Sequence, residues 1–185
     1  MRVIAGKYKG RILKTVPDKS VRPATDKVKG AIFNVMQSRI DWTQSIVLDL
    51  YAGSGSIGIE ALSRGAKKVV FVENSRNAMR FLKLNLESIG ANGDSQIVYG
   101  DVNNFLQAGS RKYDVVFADP PYAMETLEEL PNKIFESGII MESGYLIIEH
   151  PVRFEFHPGS SWEVAVQKIY GRTSVSFFQH KQPAQ

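Results

Sequence analysis

The chain has 185 residues, 43% hydrophobic and 23% charged, with 23 Lys and Arg against 19 Asp and Glu and no cysteine. That length suits one well-buried α/β core and is short for two full domains, while the lack of cysteine excludes disulfides and thiolate metal sites and fits a reducing compartment. No apolar run reaches transmembrane length, residues 1–7 hold no signal-like apolar core, and His150, His157 and His180 lack ligand spacing, so a soluble, cytoplasmic, monomeric chain with no membrane or metal partner is expected.

The charge is uneven. Residues 1–29 carry nine basic side chains against Asp18 and Asp26, a net of +7, and the remainder carries 14 basic and 17 acidic residues, a net of −3. Such a segment either grips a phosphate backbone without reading sequence or is a solvated terminus. Residues 2–4 and 11–14 flank Gly6-Lys7-Tyr8-Lys9-Gly10, the pattern of a small hairpin with a basic tip, where Tyr8 stacks on an exposed base or covers the hairpin. The candidate nucleic-acid contacts are Arg2, Lys7, Tyr8, Lys9, Arg11 and, in the loop punctuated by Pro17 and Pro23, Arg22. Thr25 or Asp26 then caps a helix with Val28, Ala31, Ile32, Val35 and Met36 inward and Lys27 and Lys29 on the opposite edge. Residues 1–24 thus read as a basic arm and loop, and residues 25–185 as the main domain.

Residues 46–60 read I-V-L-D-L-Y-A-G-S-G-S-I-G-I-E. An apolar run stops at Asp49, and a Gly53-Ser54-Gly55 turn opens a helix over Ser56–Ser63 that closes at Gly65. With Gly58 the glycines spell the dinucleotide fingerprint, but Leu50, Tyr51 and Ala52 lengthen the loop and Asp49 repels phosphate. A carboxylate there suits a ligand with positive charge, such as the ammonium and sulfonium of S-adenosylmethionine; the competing reading is a packing turn with Asp49 as a helix cap.

The alternation continues. Strands are expected at 68–72, 96–99, Tyr113–Ala118 and 145–148, ending respectively at Glu73, Gly100-Asp101, Asp119-Pro120-Pro121-Tyr122 and Glu149-His150-Pro151. The helices between them start at Asn74 or Ser75, with Ala78, Leu82, Leu86 and Ile89 inward and a stop at Gly90, run over Val102–Ala108, and are interrupted by Pro131. Two last strands, Trp162–Tyr170 and 173–178, have no helix between them and must form a hairpin with one antiparallel strand. The fold class is α/β: a doubly wound, mostly parallel seven-stranded Rossmann-like sheet with a C-terminal antiparallel hairpin and a small N-terminal hairpin arm.

Asp49, Glu73, Asp101 and Asp119 all lie at carboxyl ends of strands, where open α/β sheets bind ligands. Glu73 suits ribose hydroxyls and Asp101 an adenine amine, with Asn74 and Val102 beside them; a lone strand-end acid serves equally well as a cap. In Asp119-Pro120-Pro121-Tyr122 the two prolines stiffen the chain, so that the Asp119 carboxylate and the Pro120 carbonyl can both accept from one planar amine while Tyr122 offers a stacking face.

These residues resemble the motif set of class I S-adenosylmethionine-dependent methyltransferases, in the form that acts on exocyclic amines of nucleobases. M-R-V-I-A-G-K-Y-K-G-R at the start, R-P-A-T-D-K-V-K-G-A-I-F-N at 22–34 and D-L-Y-A-G-S-G-S-I-G-I-E-A-L-S-R-G-A at 49–66 are similar to the RsmD family. The resemblance implies methylation of a guanine N2 in 16S rRNA, on the RNA or on an assembling small subunit. Gly30 stands where that family usually has an acidic residue, and Ala24 where it often has threonine. The rivals are an adenine-N6 DNA methyltransferase, a catalytically silent RNA-binding assembly factor and, more distantly, a dehydrogenase.

Overall fold

The computed structural model describes residues 1–16, 26–109, 111–121 and 126–182. Expectations that fall on Pro17, Arg22, Pro23, Ala24, Thr25 and Tyr122 lie outside them. Five strands, β1 (Ile46–Leu50), β2 (Lys68–Glu73), β3 (Ser95–Tyr99), β4 (Tyr113–Ala118) and β5 (Ile140–Pro151), run parallel, and β6 (Trp162–Tyr170) and β7 (Thr173–His180) complete one seven-stranded sheet. Its order is β3-β2-β1-β4-β5-β7-β6, with β7 antiparallel to both neighbours. Strand order reverses between β1 and β4, which makes their carboxyl ends the expected ligand crevice.

The helices are α1 (Asp26–Met36), α2 (Ser56–Ser63), α3 (Arg76–Ile89), α4 (Val102–Ala108) and α5 (Leu130–Glu136). Ser75, not Asn74, caps α3 through its hydroxyl, which accepts the Ala78 N–H, and Gly90 ends the helix at φ 67°. Pro131 does not interrupt a helix. It lies in the first turn of α5, where its missing N–H would have had no partner in any case.

The central strands are apolar throughout because both faces are covered, with alternate residues feeding two core layers. Val47, Phe71, Val115, Phe117 and Ile147 pack on one side, and Leu48, Leu50, Val70, Val116 and Ile148 on the other. Each fully buried side chain of this kind contributes about 1.5–3 kcal/mol. Strand β5 begins at Ile140, earlier than its apolar run, and its register against β4 shifts before Tyr145. Exposed Glu142 and Ser143 disguise that part of the strand.

The arm is built into this core. Val3, Tyr8 and Leu13 are buried with Ile32, Phe33 and Met36 of α1, so the boundary at residue 24 divides the sequence but not the hydrophobic layer. Tyr8 is 8% exposed, which removes its ring as a stacking platform and leaves the covering role. Lys29, expected on the solvent edge of its helix, is 0% exposed: its Nζ donates to the Arg2 carbonyl at 2.7 Å and the Ser56 hydroxyl at 3.1 Å, and lies 3.7 Å from Glu60. The helix is rotated from its sequence reading, with Phe33 buried and Ala31 and Val35 only partly so. Arg2 pairs with Asp26 at 3.4 Å, which leaves Lys7, Lys9, Arg11 and Lys14 as the arm's exposed cations without an ion-pair partner among the described residues. Among the described residues no helix is long and apolar enough to cross a membrane.

Candidate active site

The glycine-rich turn joins β1 to α2 and is held from three directions. Tyr51 has φ 57°, the one positive value among described non-glycine residues, and Gly53 and Gly55 follow at 57° and 84°. A Cβ on Gly55 would stand 2.3 Å from Leu82, and one on Gly58 2.2 Å from Phe71, so these glycines let α2 sit tightly against α3 and the sheet. Asn85 of α3 donates to the Ser54 carbonyl and to that of Lys14, each at 2.9 Å, and accepts the Lys14 N–H at 2.8 Å. Sequence reading missed Asn85, whose position on the apolar face of α3 was its only signal.

The arm is clamped to the same helix. Glu60 of α2 accepts the N–H groups of Ile4 and Ala5 at 2.8 and 3.0 Å and Arg64 Nε at 2.9 Å, while Ser63 accepts the Tyr8 N–H at 2.9 Å. Burial lowers the Lys29 pKa, and Glu60 draws it part of the way back.

Asp49, Glu73 and Asp101 each accept backbone N–H bonds. Asp49 takes Gly58 N at 2.9 Å inside α2; Glu73 takes Gly53 N and Ser75 N, both at 2.7 Å; Asp101 takes Asn103 N at 2.8 Å as the cap of α4. Glu73 therefore braces the glycine turn from the neighbouring strand, with one lone pair on each oxygen still available. Exposed Asp101 faces outward beside Tyr51, whose hydroxyl is pushed up to about 12 by burial and by the Asp101 charge. Asn74 is exposed, Val102 buried and Ala52 9% exposed at the rim.

Asp119 differs from these. It follows β4 directly, and its neighbour in the sheet is Glu149, because Ala118 pairs with Ile148. Asp49 is paired one strand away with Phe117, so Asp49, Asp119 and Glu149 share the parity that faces α1 and α2. All three line one small cleft with Ile32, Ile57, Phe117, Ala118 and Ile147. Among the described residues no basic side chain lines it, and neither the Asp119 nor the Glu149 carboxylate has a hydrogen-bond or ion-pair partner. Burial raises all three acids: Asp49 well above the carboxylate range, Asp119 to about 7, and Glu149 to about 8 with help from the Asp119 charge. Among the described residues no acidic or histidine cluster has the arrangement of a metal site.

Glu149 was absent from the sequence-derived site. Its signal was available, since it stands at the end of a strand as Asp49, Glu73, Asp101 and Asp119 do. His150 turns to the opposite side, bonded to Ser176 at 2.8 Å and packed edge-on against Phe156. Pro120 is buried and Pro121 exposed, so the stiff turn after Asp119 is anchored on one side.

The donor set fits S-adenosylmethionine. The crevice offers acids for hydroxyls, an amine and positive charge, and among the described residues no Lys or Arg lines the cleft at Asp49 and Asp119 that would hold a pyrophosphate.

A family described as Conserved hypothetical protein 95 matches residues 1–179. Among curated relatives, the Bacillus subtilis protein named "Putative rRNA methyltransferase YlbH" is 37% identical, covering 98% of this chain and 100% of its own. The Haemophilus influenzae "Ribosomal RNA small subunit methyltransferase D" is 31% identical over 97% of this chain and 94% of its own. Among solved structures, "Putative methyltransferase yhhF" from Escherichia coli superposes with a TM-score of 0.86 at 28% identity, covering 98% of both chains.

Proposed function

The chain belongs to the RsmD family, and from that premise we propose that it methylates the exocyclic N2 amine of a guanine in 16S rRNA, using S-adenosylmethionine. The observation that carries the reading is the Asp119 carboxylate, placed without a donor at the switch point of a methyltransferase fold and followed by two prolines. The cofactor supplies an electrophilic methyl group when bound. Glu73 is assigned its ribose hydroxyls, Asp101 its adenine amine and Asp49 its charged end, a reading supported by their positions at successive strand ends.

An exocyclic amine is a poor nucleophile because its lone pair is delocalised into the ring. The Asp119 carboxylate and the Pro120 carbonyl accept its two N–H bonds, which turns the lone pair out of conjugation, and the carboxylate stabilises positive charge developing on nitrogen. Tyr122, outside the described residues, is assigned the face on which the extruded base stacks. The exposed cations Lys7, Lys9 and Arg11 lie on an arm locked to α2, so phosphates held there keep a fixed relation to the crevice.

The test is label transfer from methyl-labelled S-adenosylmethionine to unmethylated 16S rRNA and to small subunits, followed by nucleoside analysis. Label is expected in 2-methylguanosine. Label appearing instead in 6-methyldeoxyadenosine of unmethylated DNA offered in parallel would favour the adenine rival, and no transfer to RNA, subunits or DNA would favour the assembly factor.

A further inference from the structure

We propose that Glu149 selects the acceptor base: its carboxylate accepts the ring N1–H of guanine while Asp119, on the neighbouring strand, holds the N2 amine. The inference rests on the guanine-N2 reading and adds to it a specificity-determining residue.

Glu149 is 9% exposed and lines the same cleft as Asp119, with no hydrogen-bond or ion-pair partner among the described residues. A buried carboxylate is ordinarily paired, because leaving its oxygens without donors is costly. Elsewhere in this crevice the rule is kept: Asp49 has Gly58 N, and Glu73 has Gly53 N and Ser75 N. Among the described residues of the crevice only the Asp119 and Glu149 carboxylates lack a donor, and they stand side by side. Ala118 and Ile148 are paired, so the two acids that follow stand at the ends of adjacent strands about 4.8 Å apart. They point to one face, toward Ile32 and Ile57, and among the described residues no Lys, Arg or His lines the space between them. No described residue donates to either carboxylate, so both are free to accept from a bound base.

Base chemistry decides which ligand supplies the donors. Two neighbouring carboxylates form a row of acceptors and need a row of donors. Guanine presents one, N1–H beside the two N2 hydrogens. Adenine and cytosine place a bare ring nitrogen next to the amine, which a carboxylate repels, and uracil has no amine. The aliphatic walls of Ile32, Ile57 and Ile147 exclude water and strengthen these bonds. Without such donors burial raises Asp119 to about 7 and Glu149 to about 8; N–H donors favour the ionised pair, and the bases are therefore compared at pH 8.5, above both values, where little proton remains to offer a bare ring nitrogen.

The experiment uses the full chain and RNA carrying either guanine or 2-aminopurine at the acceptor position. The analogue keeps the 2-amine, but its N1 is an acceptor. Wild type should methylate the guanine RNA and prefer it over the analogue by at least about 10-fold in kcat/KM, the scale of one charge-assisted bond. Glu149→Gln, whose amide can donate to a bare N1, should lose about 10- to 100-fold on guanine. It should also narrow or reverse the preference, while S-adenosylmethionine affinity by calorimetry stays within about threefold. Wild-type activity on guanine with equal activity on the analogue would overturn the inference alone, and needs no variant to fold. So would a Glu149→Gln protein with unchanged base preference, whether it lost cofactor affinity or only stability. Wild type inactive on both RNAs would overturn the guanine-N2 reading, and this inference with it.

Discussion

Replacing Glu60 with alanine should be strongly destabilising. Glu60 and Lys29 are both 0% exposed and stand 3.7 Å apart, and Glu60 also accepts from Ile4, Ala5 and Arg64. Glu60→Ala leaves the Lys29 ammonium with the Arg2 carbonyl, the Ser56 hydroxyl and only the weaker charge of Asp26 to offset it. Breaking a buried pair in this way costs about 3–5 kcal/mol. The amides of Ile4 and Ala5 lose their acceptors too, but both residues are partly exposed and water can replace much of that loss. For a chain of this length each kcal/mol moves the melting temperature by about 2–4 °C, so the fall should be roughly 6 to 20 °C. Calorimetry or circular dichroism melts at pH 7 would read it. Adding Lys29→Met should recover part of the loss, because it removes the stranded charge. A fall below about 2 °C, or no recovery in the double variant, would refute the claim that this pair anchors the arm.

Stability should also depend on the acids of the cleft. Between their ordinary values of 3.8 and 4.5 and their folded values of about 7 and about 8, Asp119 and Glu149 bind more protons in the folded than in the unfolded chain. Their contribution therefore weakens as pH rises through that window, and Glu149→Gln should raise the melting temperature at pH 8.5 relative to wild type and flatten the pH dependence; a wild type whose melting temperature climbs steadily from pH 5 to 8 would contradict this. Glu73→Gln should reduce the melting shift produced by S-adenosylmethionine, since its ribose bonds lose their charge; an unchanged shift would remove Glu73 from the cofactor site. Replacing Lys7, Lys9 and Arg11 together by glutamine should weaken RNA binding and lower the slope of log affinity against log salt by about 2, whereas an unchanged slope would return the arm to a purely structural role.

The parallel sheet, its C-terminal hairpin and the crevice at the strand ends could be read from the sequence because each rests on a local signal. Apolar runs mark buried strands, and Gly53, Ser54 and Gly55 mark the turn between β1 and α2. What escaped depends on partners distant in sequence. Lys29 is buried because Glu60, 31 positions later, lies beneath it, and no helical periodicity encodes that pairing. Asn85 reads as a polar interruption of an apolar face until the Lys14 and Ser54 carbonyls are seen against it. Tyr8 between two lysines looks exposed by composition, yet the chain folds its ring into the layer beside α1. Glu149 joins the site only through the register that sets Ile148 beside Ala118. For Asp49, Glu73 and Asp101 the backbone bonds leave room for a ligand, since a carboxylate that accepts one backbone bond keeps lone pairs for another donor.

The most direct measurement compares Asp119→Ala with wild type in single-turnover methyl transfer to 16S rRNA, alongside S-adenosylmethionine affinity by calorimetry. If the Asp119 carboxylate orients the acceptor amine and stabilises its developing charge, the variant should bind the cofactor within a few-fold of wild type and lose about 100-fold or more in rate. A variant that transfers methyl groups at the wild-type rate would contradict the role given to the residue around which the cleft is built.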